Sequence, residues 1–187
     1  MTVRVALIQL DCSSSEPVHE RVTRGLELID RTAPDVDLLI LPELWHVGAF
    51  DVDAARQHAQ PINGPLVTAM GALAAEHQVW LHGGSFCEVA DDGQHYNTSV
   101  VFAPDGELVA SYRKIHLFDV DLPGQQPIRD SALFTPGAEL VTHDVGELRL
   151  GLTICYDLRF PELYRGLMVA GATALAVPSA FQAFTGR

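Results

Sequence analysis

Apolar runs alternate along the chain with stretches in which apolar residues recur every three or four positions, and this alternation sets out most of the elements. Residues 3–10 (VRVALIQL) read as a strand. Residues 16–33 place Val18, Val22, Leu26 and Ile29 on one helical face, with Ser13 to Ser15 ahead of them as candidate caps. Residues 36–41 (VDLLIL) form a short apolar run stopped by Pro42, as a buried strand would be. A second helical pattern covers 64–77, opened by Gly64-Pro65, because proline suits the first helical position. Strands are predicted over 78–86 and 96–103, joined through an Asp92-Gly93 turn. Pro104-Asp105-Gly106 then turns the chain tightly into a strand at 107–113.

Residues 115–137 carry prolines and glycines without periodicity and read as a long loop. Loops of that length inside compact domains are usually functional. Beyond it, 139–145 and 148–154 form a hairpin around Val145-Gly146, 160–170 a helix with Pro161 near its start, and 173–178 a last strand. This β-α-β-α-β-β-β order predicts a mixed sheet with helices packed on it, an α/β fold. No repeat or low-complexity tract interrupts the 187 residues, so one domain is expected.

Composition narrows the function classes. With 48% hydrophobic and 19% charged residues, the chain can bury a sizeable core and is not a disordered segment. Its formal net charge of −12 argues against nucleic acid or an anionic membrane as partner, since nothing here would compete for phosphate. Cys12, Cys87 and Cys155 show neither CxxC nor Cys/His ligand spacing and read as reduced thiols of a cytoplasmic protein. The first apolar run is too short for a signal segment, and no stretch has the length of a membrane span. Of 12 basic residues only Lys114 is a lysine. Where arginine is the default cation, a retained lysine marks either chance or a need for a compact ammonium with an adjustable pKa.

Three segments end strands, where open α/β sheets place reactive groups. In LLILPELW, Glu43 follows an apolar strand. A desolvated carboxylate there would have a raised pKa and suit a general base, although a solvated strand end explains the segment as well. In SYRKIHLFD, Lys114 opens the long loop. An ammonium there could stabilise a thiolate or an oxyanion, and read alone it is a surface lysine. In LGLTICYDLRFPELYRG, Cys155 sits between a strand and a helix. Helix amides and a cation would lower its pKa toward the thiolate, whereas a core cysteine would be inert. His116, His82 and His46 are alternative bases for a Cys/His pair, with no evident orienting carboxylate.

In this order, VALIQL, LPEL, YRKIHLFD and ICYDLRFPELYR resemble the motifs of the nitrilase superfamily of carbon–nitrogen hydrolases. GGSFCE and YNTSVVFAPDGELVASYRK resemble that family's central strands. The resemblance runs from residue 3 nearly to the end, so 1–187 is expected to form one carbon–nitrogen hydrolase domain. It implies an α-β-β-α sandwich that assembles into homo-oligomers if the chain is complete. It places the nucleophile at Cys155, the general base at Glu43 and the cationic stabiliser at Lys114. The backbone N–H of Tyr156 would complete the oxyanion site. It implies a small linear amide as substrate, a thioester intermediate and release of ammonia. No metal or organic cofactor is implied.

The loop KIHLFDVDLPGQQPIRDS resembles the omega-amidase branch, which cleaves side-chain amides of small dicarboxylate monoamides such as 2-oxoglutaramate. Aliphatic amides, N-carbamoyl compounds and deaminated glutathione stay open. Arg159 is a candidate partner for the substrate's distal carboxylate, against a structural ion pair with Asp157 or Glu162. Two departures stand out. A second loop glutamate of the family is matched here by Asp130, one methylene shorter, which puts its reach in question. The ending AVPSAFQAFTGR stops where family members continue, so the sandwich is expected to lack its C-terminal portion, with low activity and poor solubility in isolation. The competing reading is a catalytically silent nitrilase-like fragment with only an assembly role.

Overall fold

The computed structural model describes residues 2–12, 16–48, 51–121 and 127–181. The first sheet contains β1 (Val5–Leu7), β2 (Leu38–Ile40), β3 (Trp80–Val89), β4 (His95–Phe102) and β5 (Leu108–Arg113), in that spatial order. β1, β2 and β3 run parallel, and β3, β4 and β5 antiparallel, so the sheet is mixed as predicted. Helices α1 (Val18–Thr32) and α3 (Pro65–His77) cover one face. The second sheet has β8 (Thr142–Val145), β9 (Leu148–Leu152) and β10 (Ala174–Ala176), with β9 in the middle.

Side chains of a strand alternate between faces, and the apolar run at β2 therefore feeds two cores. Leu39 joins Ile29, Met70, Ala74, Leu81 and Val100 beneath the helices. Leu38 joins Val101 and Tyr112 against Val145, Leu150, Leu152 and Ala176 of the second sheet. Full burial of one such leucine or valine contributes about 1.5–3 kcal/mol. Helix α4 (Pro161–Val169) lays Leu163 and Leu167 over the outer face of the second sheet, where Gly151 leaves room for Leu167. The layers run α-β-β-α.

Boundaries differ from the sequence reading at places with local causes. The serines proposed as caps of α1 lie outside the described residues; α1 follows Pro17 and has no side-chain cap. Its buried face carries Arg21 and Gly25 beside Ile29, because the Trp45 ring lies where a side chain at 25 would go. The short helix α2 (Val52–Gln57) had no periodic signal; Asp51 caps it by accepting from the Ala54 N–H at 2.9 Å. Within the long loop β6 (Asp119–Val120) pairs with β7 (Ile128–Arg129), and a 3₁₀ turn follows at Asp130–Ala132. The three cysteines are free. Among the described residues no helix is long and apolar enough to cross a membrane.

Candidate active site

Glu43 is set by a bulge in its neighbour. Pairing of β3 with β4 shifts register between His82 and Ser85, and Gly84 there has φ +66°. A Cβ at 84 would lie 2.1 Å from the Pro42 carbonyl oxygen, so only glycine lets the β2 exit pass this close. Ser85 holds both sides of the exit: its N–H donates to the Pro42 carbonyl at 3.2 Å, and its hydroxyl accepts from the Leu44 N–H at 3.1 Å. Glu43, 3% exposed, is thus buried rather than solvated.

Lys114 leaves the end of β5 with its own N–H donating to the Asn97 carbonyl at 2.9 Å. Its ammonium donates to Glu43 Oε1 at 2.9 Å and to Asp130 Oδ2 at 2.9 Å. Burial pushes its pKa down; the Glu43 and Asp130 charges outweigh burial and hold the lysine above its ordinary value. Asp130 therefore reaches Lys114 despite its shorter side chain. The Phe118 N–H, donating to the same Oδ2 at 3.0 Å, fixes the aspartate from behind.

Cys155 opens a 3₁₀ turn, Cys155–Arg159, between β9 and α4. Its φ of +45° is left-handed, a strained conformation for a residue with a side chain. Asp157, fully buried, over-determines this elbow. Its carboxylate accepts from Ile154 N–H at 2.8 Å, the Tyr112 hydroxyl at 2.7 Å, His116 N–H at 3.0 Å and bonds His116 Nδ1 at 2.7 Å. The Cys155 N–H donates to the Pro178 carbonyl at 3.0 Å. The thiol lines the same pocket as Glu43, whose charge acts on it. Burial first, then the Glu43 charge, push the thiol up to about 12 against the pull of Lys114 and the Ala180 N–H. The expectation that helix amides and a cation would depress it is corrected: burial and the Glu43 charge outweigh the cation.

One pocket of about 80 Å3 gathers all six candidates: Glu43, Lys114, Asp130, Cys155, Tyr156 and Arg159. Phe118, Leu158 and Phe181 supply its apolar wall. Tyr156 stands edge-on to Phe118 and Phe160, at 4.9 and 5.5 Å between ring centroids. Among the described residues Arg159 has no carboxylate partner. Asp157 is taken by the elbow, and Glu162 pairs with Arg165 at 3.1 Å.

The histidines do not serve this thiol. His46 and His82 are fully buried outside the pocket, and burial drives them down to about 3 and about 4. His116 does have an orienting carboxylate, Asp157, and stacks on Phe160 at 3.6 Å, bracing the elbow. Asp30, Glu76 and His77 bring one possible metal-ligand atom each within 4.8 Å, on α1 and α3 away from the pocket. Sequence reasoning missed Asn97, whose amide donates to Glu43 Oε1 at 2.9 Å, and the Ala180 N–H, which donates to Glu43 Oε2 at 3.2 Å. Neither carries a local signal; Asn97 reads simply as a polar position in a strand.

Residues 4–185 match the carbon-nitrogen hydrolase family. The chain is 39% identical over 184 residues to omega-amidase NIT2 of Homo sapiens, covering 98% of this chain and 65% of that protein. Among solved structures, Saccharomyces cerevisiae Nit3, a member of branch 10 of the nitrilase superfamily, superposes with a TM-score of 0.83 at 33% identity, over 98% of this chain and 66% of that one. A mutant amidase from Nesterenkonia sp. AN1, showing Michael addition of acrylamide at its active-site cysteine, gives a TM-score of 0.79 at 26% identity, over 96% and 68%. The chain thus spans 65% of the length of its human relative. On the family match and the shared sandwich, the chain belongs to the carbon–nitrogen hydrolase family of the nitrilase superfamily.

Proposed function

We propose that the protein hydrolyses the C–N bond of a small linear amide through a thioester on Cys155, with an omega-amide of a dicarboxylate as favoured substrate. The observation that carries this reading is the Glu43 carboxylate held between the Cys155 thiol and the Lys114 ammonium at one pocket. The raised thiol pKa fits a proton transfer concerted with attack, since a free thiolate is not stored at neutral pH.

In the first half-reaction the sulfur bonds to the amide carbon while Glu43 takes the thiol proton. The carbonyl oxygen becomes an oxyanion facing the Lys114 ammonium and the Tyr156 N–H. Glu43 then returns its proton to the departing nitrogen, ammonia leaves, and a thioester remains. In the second, Glu43 takes a proton from water as its oxygen attacks the thioester carbon. The carboxylic acid departs as Glu43 hands that proton back to the sulfur. Loss of one oxyanion donor typically costs about 10²–10³ in rate.

The substrate class follows from Arg159. Arg159 lines the pocket with no carboxylate partner among the described residues, whereas Lys114 is already committed to two carboxylates. A substrate carrying a distal carboxylate satisfies it with bidentate geometry. The similarity to a human omega-amidase supports this choice. An ammonia-release screen over omega-amides, aliphatic amides, nitriles and carbamoyl compounds, with Cys155→Ala as control, tests it. Release that is fastest with omega-amides and absent from the control supports the reading.

Assembly into homo-oligomers belongs to the same proposal: Leu7, Met168 and Val169 are apolar side chains exposed on the surface. These side chains also favour a second reading, a silent domain serving only in assembly. Turnover in the same screen rejects that alternative.

A further inference from the structure

We infer that Asn97 is a positioning residue that selects which oxygen of Glu43 receives the proton; this rests on Glu43 being the base. Asn97 lies on β4, between the strand beside the Glu43 turn and the strand that delivers Lys114, and it is 1% exposed. Its side-chain amide donates to Glu43 Oε1 at 2.9 Å, the oxygen that also accepts Lys114 at 2.9 Å. Its backbone carbonyl accepts the Lys114 N–H at 2.9 Å. A single residue therefore ties base and cation to one central strand.

The two donors occupy Oε1. Oε2 is left with the longer Ala180 N–H contact at 3.2 Å, and keeps a lone pair for the thiol proton. The other end of the amide supports this assignment. Among the described residues Asn97 Oδ1 is buried without a hydrogen-bond partner, so the amide's one hydrogen bond is its donation to Glu43. Turning the amide over would set oxygen against carboxylate. A buried acceptor left unmet is costly, and such exceptions concentrate where function requires them. The charged and titratable groups facing Glu43 are Lys114 from the end of β5, Asp130 from the 3₁₀ turn and Cys155 from the elbow, with Arg159 at the same pocket. Among the described residues, Asn97 is the neutral side chain that donates to Glu43. A donor to a carboxylate favours its ionised form, so losing it shifts base activity to higher pH.

The test is the rate of N-ethylmaleimide alkylation at Cys155, located by mass spectrometry and followed against pH, which needs no turnover. The chain is compared with Asn97→Ala, Asn97→Asp and Glu43→Gln. Asn97→Ala is expected to slow alkylation at neutral pH about tenfold, part of the 10²–10⁴ a general base supplies, and to move the rate midpoint up by about one pH unit. Asn97→Asp, an isostere that covers the case of a poorly folded alanine variant, should move it further, because two carboxylates then face each other. A midpoint that stays put in a folded variant, with rates falling only in step with thermal stability, overturns the inference. Alkylation that is equally fast in Glu43→Gln overturns the base assignment itself, and this inference with it.

Discussion

Glu43 Oε1 lies 2.9 Å from Lys114 Nζ, and both side chains are almost fully buried. Asp130 sits at the same distance on the other side of the ammonium, so one cation holds two carboxylates apart from water. Removing the cation leaves two buried acids with no counter-charge. Lys114→Met is expected to lower stability in urea by about 3–5 kcal/mol, since breaking a buried pair costs that much. Lys114→Arg should leave the rate low, because a planar fork cannot replace a compact ammonium between two acids.

The pH dependence of stability follows from two raised groups. Lys114 is held above its unfolded value of about 10.4, so its contribution is fully present below that pH and is lost as pH rises through the folded value. Cys155 has the same sign: the unfolded thiol ionises near 9.0, the folded one at about 12. Stability in urea should be flat up to pH 9 from these groups and fall between 9 and 12.

Cys12 and Cys87 are also raised, mainly by burial, Cys87 to about 12. Ultraviolet titration of the folded protein should therefore find no thiolate at neutral pH. A thiolate with a midpoint below the roughly 8.5 of a free cysteine would contradict this.

Asp157→Asn should unsettle the Cys155 elbow without touching the pocket wall. An amide nitrogen cannot accept the bonds that one carboxylate oxygen now takes from Ile154 and Tyr112, or the other from His116. Leaving such buried donors unmet costs about 1–3 kcal/mol each. Calorimetry should register a melting point lower by roughly 5–10 °C, taking 2–4 °C per kcal/mol for a chain of this size.

Arg159→Ala tests substrate recognition separately from chemistry. The residue is exposed and has no carboxylate partner among the described residues, so stability should stay within about 0.5 kcal/mol. KM for a carboxylate-bearing omega-amide should rise about 10- to 100-fold, the worth of a charge-assisted bond, while an uncharged aliphatic amide is unaffected. An unchanged KM for succinamate-type substrates removes Arg159 from recognition.

Much of this was legible in the sequence where the cause is local. The β2 run, Gly64-Pro65 and the Asp105-Gly106 turn each carry their own chemistry, and the elements formed within a few residues of the predicted bounds. Glu43, Lys114 and Cys155 were visible because each ends a strand in a recognisable motif. What stayed hidden depends on distant partners. Asn97 becomes notable only when β4 brings it to Glu43, 54 positions away in sequence. The Cys155 pKa was misread in direction because the neighbouring sequence shows the helix start, while the burial and the Glu43 charge come from the fold. Gly84 looks like a strand defect until the Pro42 carbonyl is seen against it.

In the proposed reaction one sulfur, that of Cys155, carries the acyl group. Rapid acid quench of the protein with an omega-amide such as succinamate, followed by peptide mass spectrometry, tests it directly. A succinyl thioester is expected on the peptide bearing Cys155, formed as ammonia appears and absent from Glu43→Gln. Ammonia release that persists in Cys155→Ala, or an acyl group on Cys12 or Cys87 instead, would contradict it.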